Sequence, residues 1–336
     1  MDTFTKTKFT ITTAPNIGEA ADNHWLQAVA SNEVYITAAN GVKGGLVLTN
    51  GEIEWSASDA AGKRIDPVES GRVCGSQKLF YNYMRGQRPV APARFGPPPP
   101  PQRDGFFPGQ PSHPLSIKRR PCLVVEMGEG RKIALVPNGF PFVAEGHFLA
   151  FHAKMIDDDV VYPWVEQRLN SETSKLILDL AVALGPDYAV GYNDPGTGGT
   201  QRLFHPQVLK VGEYPVERAV RIPLADGAAF PLYSAGCLIA ENVLPDTLLS
   251  WVERLQGRGV ALNLLVRDRT AFVFPRRSGV GIVPEFPTGL IAFSELSGHW
   301  ICSNERVYTA LDEDYLRTAH RKVTLGVDEA WPIAAT

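Results

Sequence analysis

One histidine, His205, has the surroundings best suited to covalent chemistry. It lies in the run Gly199-Thr-Gln-Arg-Leu-Phe-His-Pro-Gln, directly after a segment rich in glycine and threonine. A neutral imidazole can attack phosphorus when an acceptor holds its other ring nitrogen. Backbone N–H groups of such a glycine segment can turn toward an anion. The run therefore predicts attack on a phosphate, with a purely structural strand histidine as the open alternative.

Several other residues are candidates for binding the phosphate that His205 would attack. Gln207 lies two positions further on, so in a strand it would share a face with His205 and could donate hydrogen bonds to phosphate oxygens. The other candidates for substrate binding are Asn193, Gly196, Thr197, Gly198, Gly199, Thr200, Arg202, His147, Lys78 and Arg85. The cations among them could instead be solvated surface groups, and His147 could be a structural histidine at a strand start. His299 could contact a base or simply pack.

Composition excludes several classes of protein. The 336 residues carry a formal net charge of −3, without the clustered basic excess that nucleic-acid binding favours. No apolar run approaches the roughly 20 residues of a membrane helix, and the N-terminus lacks a secretory pattern. We expect a cytoplasmic protein with neither nucleic acid nor membrane as partner. Cys74, Cys122, Cys237 and Cys302 form no C-x-x-C pair, so no metal, disulfide framework or cofactor is expected.

Short strands and two clear helices must position these residues. Apolar periodicity and stop signals predict helices over 172–184 and 246–256, and a further helix over 76–88 that ends at Gly86. Strands are predicted over 33–38, 45–49, 122–126, 132–136, 147–152, 188–193, 202–209, 236–240, 260–266 and 271–277. Five consecutive prolines make 87–116 an irregular segment, either a surface loop or a lid over the substrate.

The order strand, helix, strand, strand occurs twice along the chain. Leu203-Phe-His-Pro-Gln aligns with Phe272-Val-Phe-Pro-Arg, so the second copy has Phe274 where the first has His205. Asn193 and Asn263 precede these two positions by nearly equal distances. The pattern predicts an internal duplication, although units of this kind are common enough for chance similarity to stay open.

The run that ends in His205 resembles the active-site motif of the histidine-triad (HIT) superfamily. The likeness is to its transferase and phosphorylase branch: galactose-1-phosphate uridylyltransferase, diadenosine tetraphosphate phosphorylase and the GDP-hexose phosphorylases. That motif is His-x-His-x-Gln, which makes His205 the implied nucleophile and Gln207 the family glutamine. Further segments resemble the branch in the same order: 77–88, 118–123, 136–149, 261–265 and 295–301.

The resemblance implies an α+β protein, a duplicated HIT-like fold with antiparallel sheet flanked by helices. It implies a nucleotidyl-histidine intermediate formed from a nucleoside diphosphate sugar or a dinucleoside polyphosphate, and resolved by inorganic phosphate or a sugar phosphate. One residue departs from the pattern, because Leu203 stands where the family has its first histidine. A nucleotide hydrolase and a non-catalytic nucleotide-binding protein therefore stay open as alternatives.

The same resemblance suggests how the chain is divided. Residues 1–116 would hold N-terminal strands, a helix and the proline-rich loop; residues 117–225 the HIT-like half with the active-site motif; and residues 226–336 a degenerate second half. Relatives in this superfamily often form dimers, so the resemblance also implies a homodimer.

Overall fold

In the computed structural model, two sets of residues are described. Backbone and most side chains are described for 71–82, 131–138, 147–152, 165–195, 197–198, 203–277 and 291–335. Only the backbone is described for short strands within 27–65 and for 70, 123–126, 153–156 and 159–161. The proline-rich segment 87–116 lies outside these residues, so its interpretation stays a prediction.

The strands, in chain order, are β1 Gln27–Val29, β2 Glu33–Thr37, β3 Lys43–Thr49, β4 Glu52–Ser58, β5 Arg64–Ile65, β6 Ser70–Cys74, β7 Gln77–Tyr81, β8 Leu123–Glu126, β9 Lys132–Pro137, β10 His147–Ile156, β11 Asp159–Val161, β12 Tyr188–Asn193, β13 Gln207–Lys210, β14 Arg221–Pro223, β15 Ala228–Pro231, β16 Leu238–Ala240, β17 Leu262–Arg267, β18 Thr270–Pro275 and β19 His299–Cys302. The α-helices are α1 Ser171–Leu184, α2 Pro245–Gly257, α3 Phe293–Leu296, α4 Glu305–Ala310, α5 Glu313–Val323 and α6 Val327–Ala335.

The chain divides into two compact units. Unit 1 comprises Met1–Pro67, Gln87–Glu166 and Leu203–Lys210. It contains the antiparallel sheet β1-β2-β3-β4-β5 and a second antiparallel set in the order β8-β9-β10-β13, with β11 paired to β10. The part of the predicted active-site run from Leu203 to Gln207, with His205, belongs to this unit.

Unit 2 comprises Val68–Gly86, Gln167–Arg202 and Val211–Thr336. Its larger set of strands has the antiparallel order β14-β15-β16-β18-β17-β12, and α1 packs on β12 and β17. A three-stranded sheet, β19-β7-β6, pairs β19 with β7 in parallel. All six helices named above lie in this unit.

The predicted repetition is visible in the order of connections. A three-stranded meander (β8-β9-β10) is followed by α1, by β12 and then by β13, which pairs with the last strand of the meander. The meander β14-β15-β16 is followed in the same way by α2, β17 and β18, and β18 pairs with β16. This order fits the duplicated fold expected from the sequence, and the α+β class with antiparallel sheets and helices is confirmed.

Local signals explain why α1 was predicted correctly. The Asn170 side chain accepts a hydrogen bond from the Thr173 N–H, and the C-cap Gly185 has φ 80°. The apolar face expected at the i, i+3, i+4 spacing is buried; it comprises Leu176, Ile177, Leu180, Ala181 and Leu184. Helix α2 is confirmed in the same way, with Trp251 buried in addition to Leu248, Val252 and Leu255.

The helix predicted over 76–88 is wrong in its described part. Residues Gln77–Tyr81 form β7, which makes a hairpin with β6 across a turn at Gly75, where φ is 59°. Non-local pairing with β19 adds a second hydrogen-bonded edge, and this tertiary pairing overrides the local helix preference. Residues 83–88, including Gly86, lie outside the described part of the chain.

The strand predicted over 202–209 is shorter than expected. It begins only at Gln207, after Leu203 has made an isolated bridge to Glu166. Pro206 has no N–H to give to a ladder, which limits regular pairing before this point. His205 therefore lies in an extended segment that leads into β13, rather than within the strand itself.

The described helices include none that is long and apolar enough to cross a membrane.

Candidate active site

His205 is held firmly in unit 1 by the backbone on either side of it. The Phe204 N–H donates to the Val165 carbonyl at 2.7 Å, and the Pro206 carbonyl accepts from the Ala150 N–H at 2.9 Å. The side chain is 7% exposed, and its ring is stacked with that of Phe151 at a centroid separation of 6.4 Å. Fixed backbone bonds and a neighbouring ring leave the imidazole little rotational freedom.

The hydrogen bond at Nδ1 assigns the tautomer of His205. Its Nδ1 lies 2.6 Å from the carbonyl oxygen of Leu203, and both groups are buried. A carbonyl oxygen can only accept, so Nδ1 must carry the hydrogen. In a neutral imidazole the lone pair is then on Nε2. This is the arrangement that a histidine nucleophile requires.

Leu203 contributes to the site through its backbone. Its side chain is 2% exposed and belongs to the core, where it can neither donate nor accept. Its carbonyl nevertheless supplies the acceptor that orients His205. The departure from the histidine-triad pattern therefore leaves the orientation of His205 intact, although it removes an ionisable side chain.

Gln207 is anchored by a second histidine. In the first pairs of β13 with β10, Leu149 lies opposite Gln207 and His147 lies opposite Leu209. The Oε1 atom of Gln207 is 2.9 Å from Nε2 of His147, which is itself fully buried. The amide of Asn138 also lies 3.0 Å from the same His147 nitrogen. The three side chains form a connected polar group at the edge shared by β10 and β13.

One arrangement of hydrogen-bond donors and acceptors in this group leaves the NH₂ of Gln207 available as a donor. A single ring nitrogen either donates or accepts, and amide oxygen and nitrogen are assigned from the network. If His147 Nε2–H donates, then Gln207 accepts through Oε1 and its NH₂ is left to donate to a ligand. The Asn138 amide then turns its oxygen toward His147. Sequence reasoning did not select Asn138, although it lies in the 136–149 segment that resembles the family.

Asn193 and the turn that follows it are arranged within unit 2. The Asn193 Oδ1 accepts from Asn263 Nδ2 at 2.5 Å and from the Phe293 N–H at 3.0 Å. The Thr197 carbonyl also accepts from Asn263 Nδ2, at 3.0 Å. Gly198 adopts φ 121°, a conformation that L side chains rarely take. Asn193 thus braces the turn, and its role in substrate binding stays a prediction.

Asp194 fixes the start of the same turn. Its carboxylate accepts from the Tyr192 hydroxyl at 2.8 Å and from the Leu262 N–H at 2.8 Å. Burial, the largest effect, raises the pKa of this carboxyl above its ordinary value, while these hydrogen bonds act in the opposite direction. The residue was seen in the sequence only as part of a turn, because its partners are distant in the chain.

Lys78 and His299 lie side by side in unit 2. They are paired in register between β7 and β19. Burial, together with the positive charges of Lys78, Arg267 and Arg218, lowers the pKa of His299 to about 3. His299 is therefore neutral, and its ring packs against Tyr214 at a centroid distance of 4.2 Å and edge-on against Phe80. His299 was expected either to contact a base or to pack, and this geometry fits packing.

Five of the predicted binding residues lie outside the described part of the chain: Arg85, Gly196, Gly199, Thr200 and Arg202. Their proposed roles stay predictions. Among the described residues no group of three or more histidine, cysteine or acidic side chains could hold a metal ion. Cys74, Cys237 and Cys302 are free thiols.

Comparisons with known proteins give distant structural similarities. No family model and no curated protein sequence matches the chain. A crystal structure of yeast Ap4A phosphorylase Apa2 in complex with AMP is similar over 76% of this chain and 88% of its own, with 16% identity and a TM-score of 0.48. The same yeast enzyme in complex with Ap4A is similar over 86% and 91%, with 15% identity and a TM-score of 0.47. Since both scores lie below 0.5, the roles of the residues follow only from this chain's own geometry.

Proposed function

We propose that this protein transfers a nucleotidyl group through a covalent intermediate on His205. One observation carries the proposal: the bond from His205 Nδ1 to the Leu203 carbonyl, which places the lone pair on Nε2. The tautomer with its lone pair on Nε2 is the one that can attack phosphorus through that nitrogen. Here it is enforced by a short, buried hydrogen bond at the residue that sequence reasoning selected as the nucleophile.

The reaction proceeds in two displacements. The Nε2 lone pair of His205 attacks the α-phosphorus of a nucleotide; a P–N bond forms as the P–O bond to the leaving group breaks, and the leaving oxygen keeps the electron pair. The ring becomes cationic in this step, which strengthens the Nδ1–H bond to the Leu203 carbonyl. An oxygen of inorganic phosphate or of a sugar phosphate then attacks the same phosphorus, and the P–N bond electrons return to Nε2.

Leu203 restricts the class of substrate. Its buried hydrocarbon side chain cannot give a proton to a departing oxygen. The leaving group must therefore be stable as an anion, as a phosphate is and an alkoxide is not. This favours phosphoanhydride substrates, namely a nucleoside diphosphate sugar or a dinucleoside polyphosphate, over simple phosphodiesters of an alcohol.

Gln207 is assigned to the charge on phosphorus. With its Oε1 held by His147, its NH₂ donates to a non-bridging phosphate oxygen as negative charge accumulates in the transition state. His147 is then a positioning residue that acts through Gln207. The backbone of 196–200, which overlaps the start of the His205 run, is proposed to bind the substrate phosphates, as expected from the sequence.

Turnover measurements test this proposal. Wild type and His205→Ala are incubated with a panel of nucleoside diphosphate sugars and dinucleoside polyphosphates, with and without inorganic phosphate. We expect wild-type turnover that depends on phosphate, and none in His205→Ala. Turnover by wild type in water alone would replace the phosphorylase with a hydrolase. Turnover that survives His205→Ala would overturn the mechanism, and nucleotide binding without turnover would favour a sensor.

A further inference from the structure

The second repeat has a buried arginine, Arg276, at the position where the first repeat has Gln207. Where Phe274 aligns with His205, Arg276 aligns with Gln207. Arg276 is 1% exposed, so its charge is removed from water and must be compensated within the protein. Burial lowers its pKa to about 10, so it remains a cation at neutral pH.

The hydrogen bonds of Arg276 reach two different segments. Its Nη1 donates to the Asn263 Oδ1 at 2.9 Å and to the Ile291 carbonyl at 2.7 Å. The first acceptor belongs to β17, and the second lies at the chain entering α3. All these groups belong to unit 2. One guanidinium nitrogen therefore ties together two elements that are remote in sequence.

Both segments form hydrogen bonds with Asn193 or Thr197, at the glycine-rich turn. Arg276 can only donate, so it fixes Oδ1 of Asn263 as acceptor and directs Nδ2 toward Asn193 and Thr197. From the other segment, the Phe293 N–H donates to the same Asn193 oxygen.

Gly198 is packed as closely as its neighbours allow. A Cβ added there would lie 2.8 Å from the Cβ of Ala292, which directly precedes α3. The segment that Arg276 bonds through the Ile291 carbonyl therefore packs directly against Gly198.

We infer that Arg276 is a positioning residue, which acts through Asn263 and the 291–293 segment to hold Asn193, Thr197 and Gly198 in the conformation that binds the substrate phosphate. The second repeat, without a catalytic histidine, contributes its strand end as a support for the phosphate-binding turn of the first. This inference rests on the proposed function for the phosphate, whereas the support of the turn is a separate physical claim.

Asn263→Asp separates the support of the turn from the stability of the fold. The new carboxylate keeps and strengthens the bond to Arg276, but turns an acceptor toward the Asn193 oxygen and the Thr197 carbonyl. A flip of the Asn193 amide would satisfy the carboxylate, yet it would set one N–H against that of Phe293. We therefore expect some loss of thermal stability and, beyond it, a perturbation that is larger in the turn than elsewhere in unit 2.

Arg276→Met, Arg276→Lys and Arg254→Met complete the set. Methionine removes the charge at similar length, while lysine keeps a donor for both acceptors and should rescue in part. Arg254 donates to the Ala334 carbonyl elsewhere in unit 2, so Arg254→Met loses a comparable bond away from the turn.

Two measurements are made on the full-length protein: hydrogen–deuterium exchange of the backbone amides in 190–200, and the Kd for AMP. We expect faster exchange and roughly tenfold weaker AMP binding in Asn263→Asp and Arg276→Met, the factor given by loss of one hydrogen bond. Arg276→Lys should be intermediate and Arg254→Met unchanged.

Unchanged exchange in a folded Asn263→Asp would overturn the support of the turn, whatever the protein's activity. Faster exchange with unchanged AMP binding would overturn its role toward phosphate. If wild type bound AMP through this turn but formed no covalent intermediate, the proposed function would fail while the inference stood.

Discussion

At the scale of single residues, the backbone carbonyl of Leu203 supplies an acceptor that its hydrocarbon side chain cannot. The Leu203 oxygen accepts from His205 Nδ1, and so sets the tautomer of the proposed nucleophile. The residue type at 203 is then free to vary as far as orientation is concerned. The residue type at 203 matters instead for the leaving group. A hydrocarbon side chain cannot give it a proton, so the leaving group must be stable as an anion.

Gln207→Glu tests the role assigned to the glutamine amide. Glutamate keeps an oxygen for His147 but replaces the NH₂ donor with a carboxylate oxygen, which repels phosphate. Because a donor aimed at developing charge typically contributes a factor of 10² to 10³, we expect kcat to fall by about that much. Steady-state kinetics would show it, with circular dichroism to check the fold. Unchanged kcat would remove Gln207 from the transition state.

The sequence could propose this candidate site because its signals are local. His205 and Gln207 are two residues apart in one run, and the glycine-rich segment directly precedes them. Asn263 and Arg276 could not be assigned a role in the same way. Asn263 is 70 residues from Asn193, and only folding of unit 2 brings the two amides together.

At the scale of elements, local patterns succeeded where an element's own residues decide its structure. Helix α1 has a cap, an apolar face and a terminating glycine within one short stretch. Strand β7 fails this condition, because its partner β19 lies more than 200 residues away in the chain. The strand predicted over 202–209 begins earlier than the observed β13, because Pro206 has no N–H to give to a ladder.

Strand β12 contains a glycine whose replacement tests how tightly α3 is packed on it. A Cβ at Gly191 would lie 2.2 Å from the Phe293 ring, and the Phe293 N–H holds Asn193. We expect Gly191→Ala to lower the free energy of unfolding by about 1–3 kcal/mol through overpacking. Urea unfolding measures this change.

Gly257→Ala serves as its matched control, because nothing lies within 4 Å of a Cβ there, at the end of α2. A helical alanine should be neutral or stabilise by up to about 1 kcal/mol. Equal effects from the two substitutions would contradict the packing described for Phe293.

At the scale of the whole molecule, two copies of one connection pattern are proposed to have separate tasks. The first copy retains the proposed nucleophile, and the second has Phe274 and Arg276 in the corresponding positions. Sequence alone predicted the duplication, because the alignment of the two copies needs only order and spacing. It could not predict what the second copy does, since that depends on contacts formed in the folded chain.

Buried neutral histidines predict how stability depends on pH. Burial lowers the pKa of His320 to about 4 and that of His299 to about 3, from an ordinary value of 6.5. Below pH 6.5 the unfolded chain therefore binds protons that the folded protein excludes, and stability is lost as pH falls toward 4. At pH 5 each histidine should cost about 2 kcal/mol relative to pH 7.

His299→Phe isolates one of these two contributions. Neither ring nitrogen of His299 has a hydrogen-bond partner in the described structure, so phenylalanine loses no bond and keeps the contacts with Tyr214 and Phe80. We expect an equal or higher Tm at pH 7 and a smaller drop in Tm between pH 7 and pH 5. A pH-dependent drop as large as that of wild type would contradict the assignment of a neutral buried His299.

The central claim, a nucleotidyl group on His205, is tested most directly by trapping the adduct. Wild type is mixed with an α-phosphate-labelled dinucleoside polyphosphate or nucleoside diphosphate sugar, without an acceptor phosphate, and quenched in base, where a phosphorus–nitrogen bond to histidine survives. Peptide mass spectrometry should then find one nucleotidyl group on His205, lost on brief acid treatment and absent from His205→Ala. Phosphate-dependent turnover by wild type with no adduct, or with an adduct on another residue, would contradict the account.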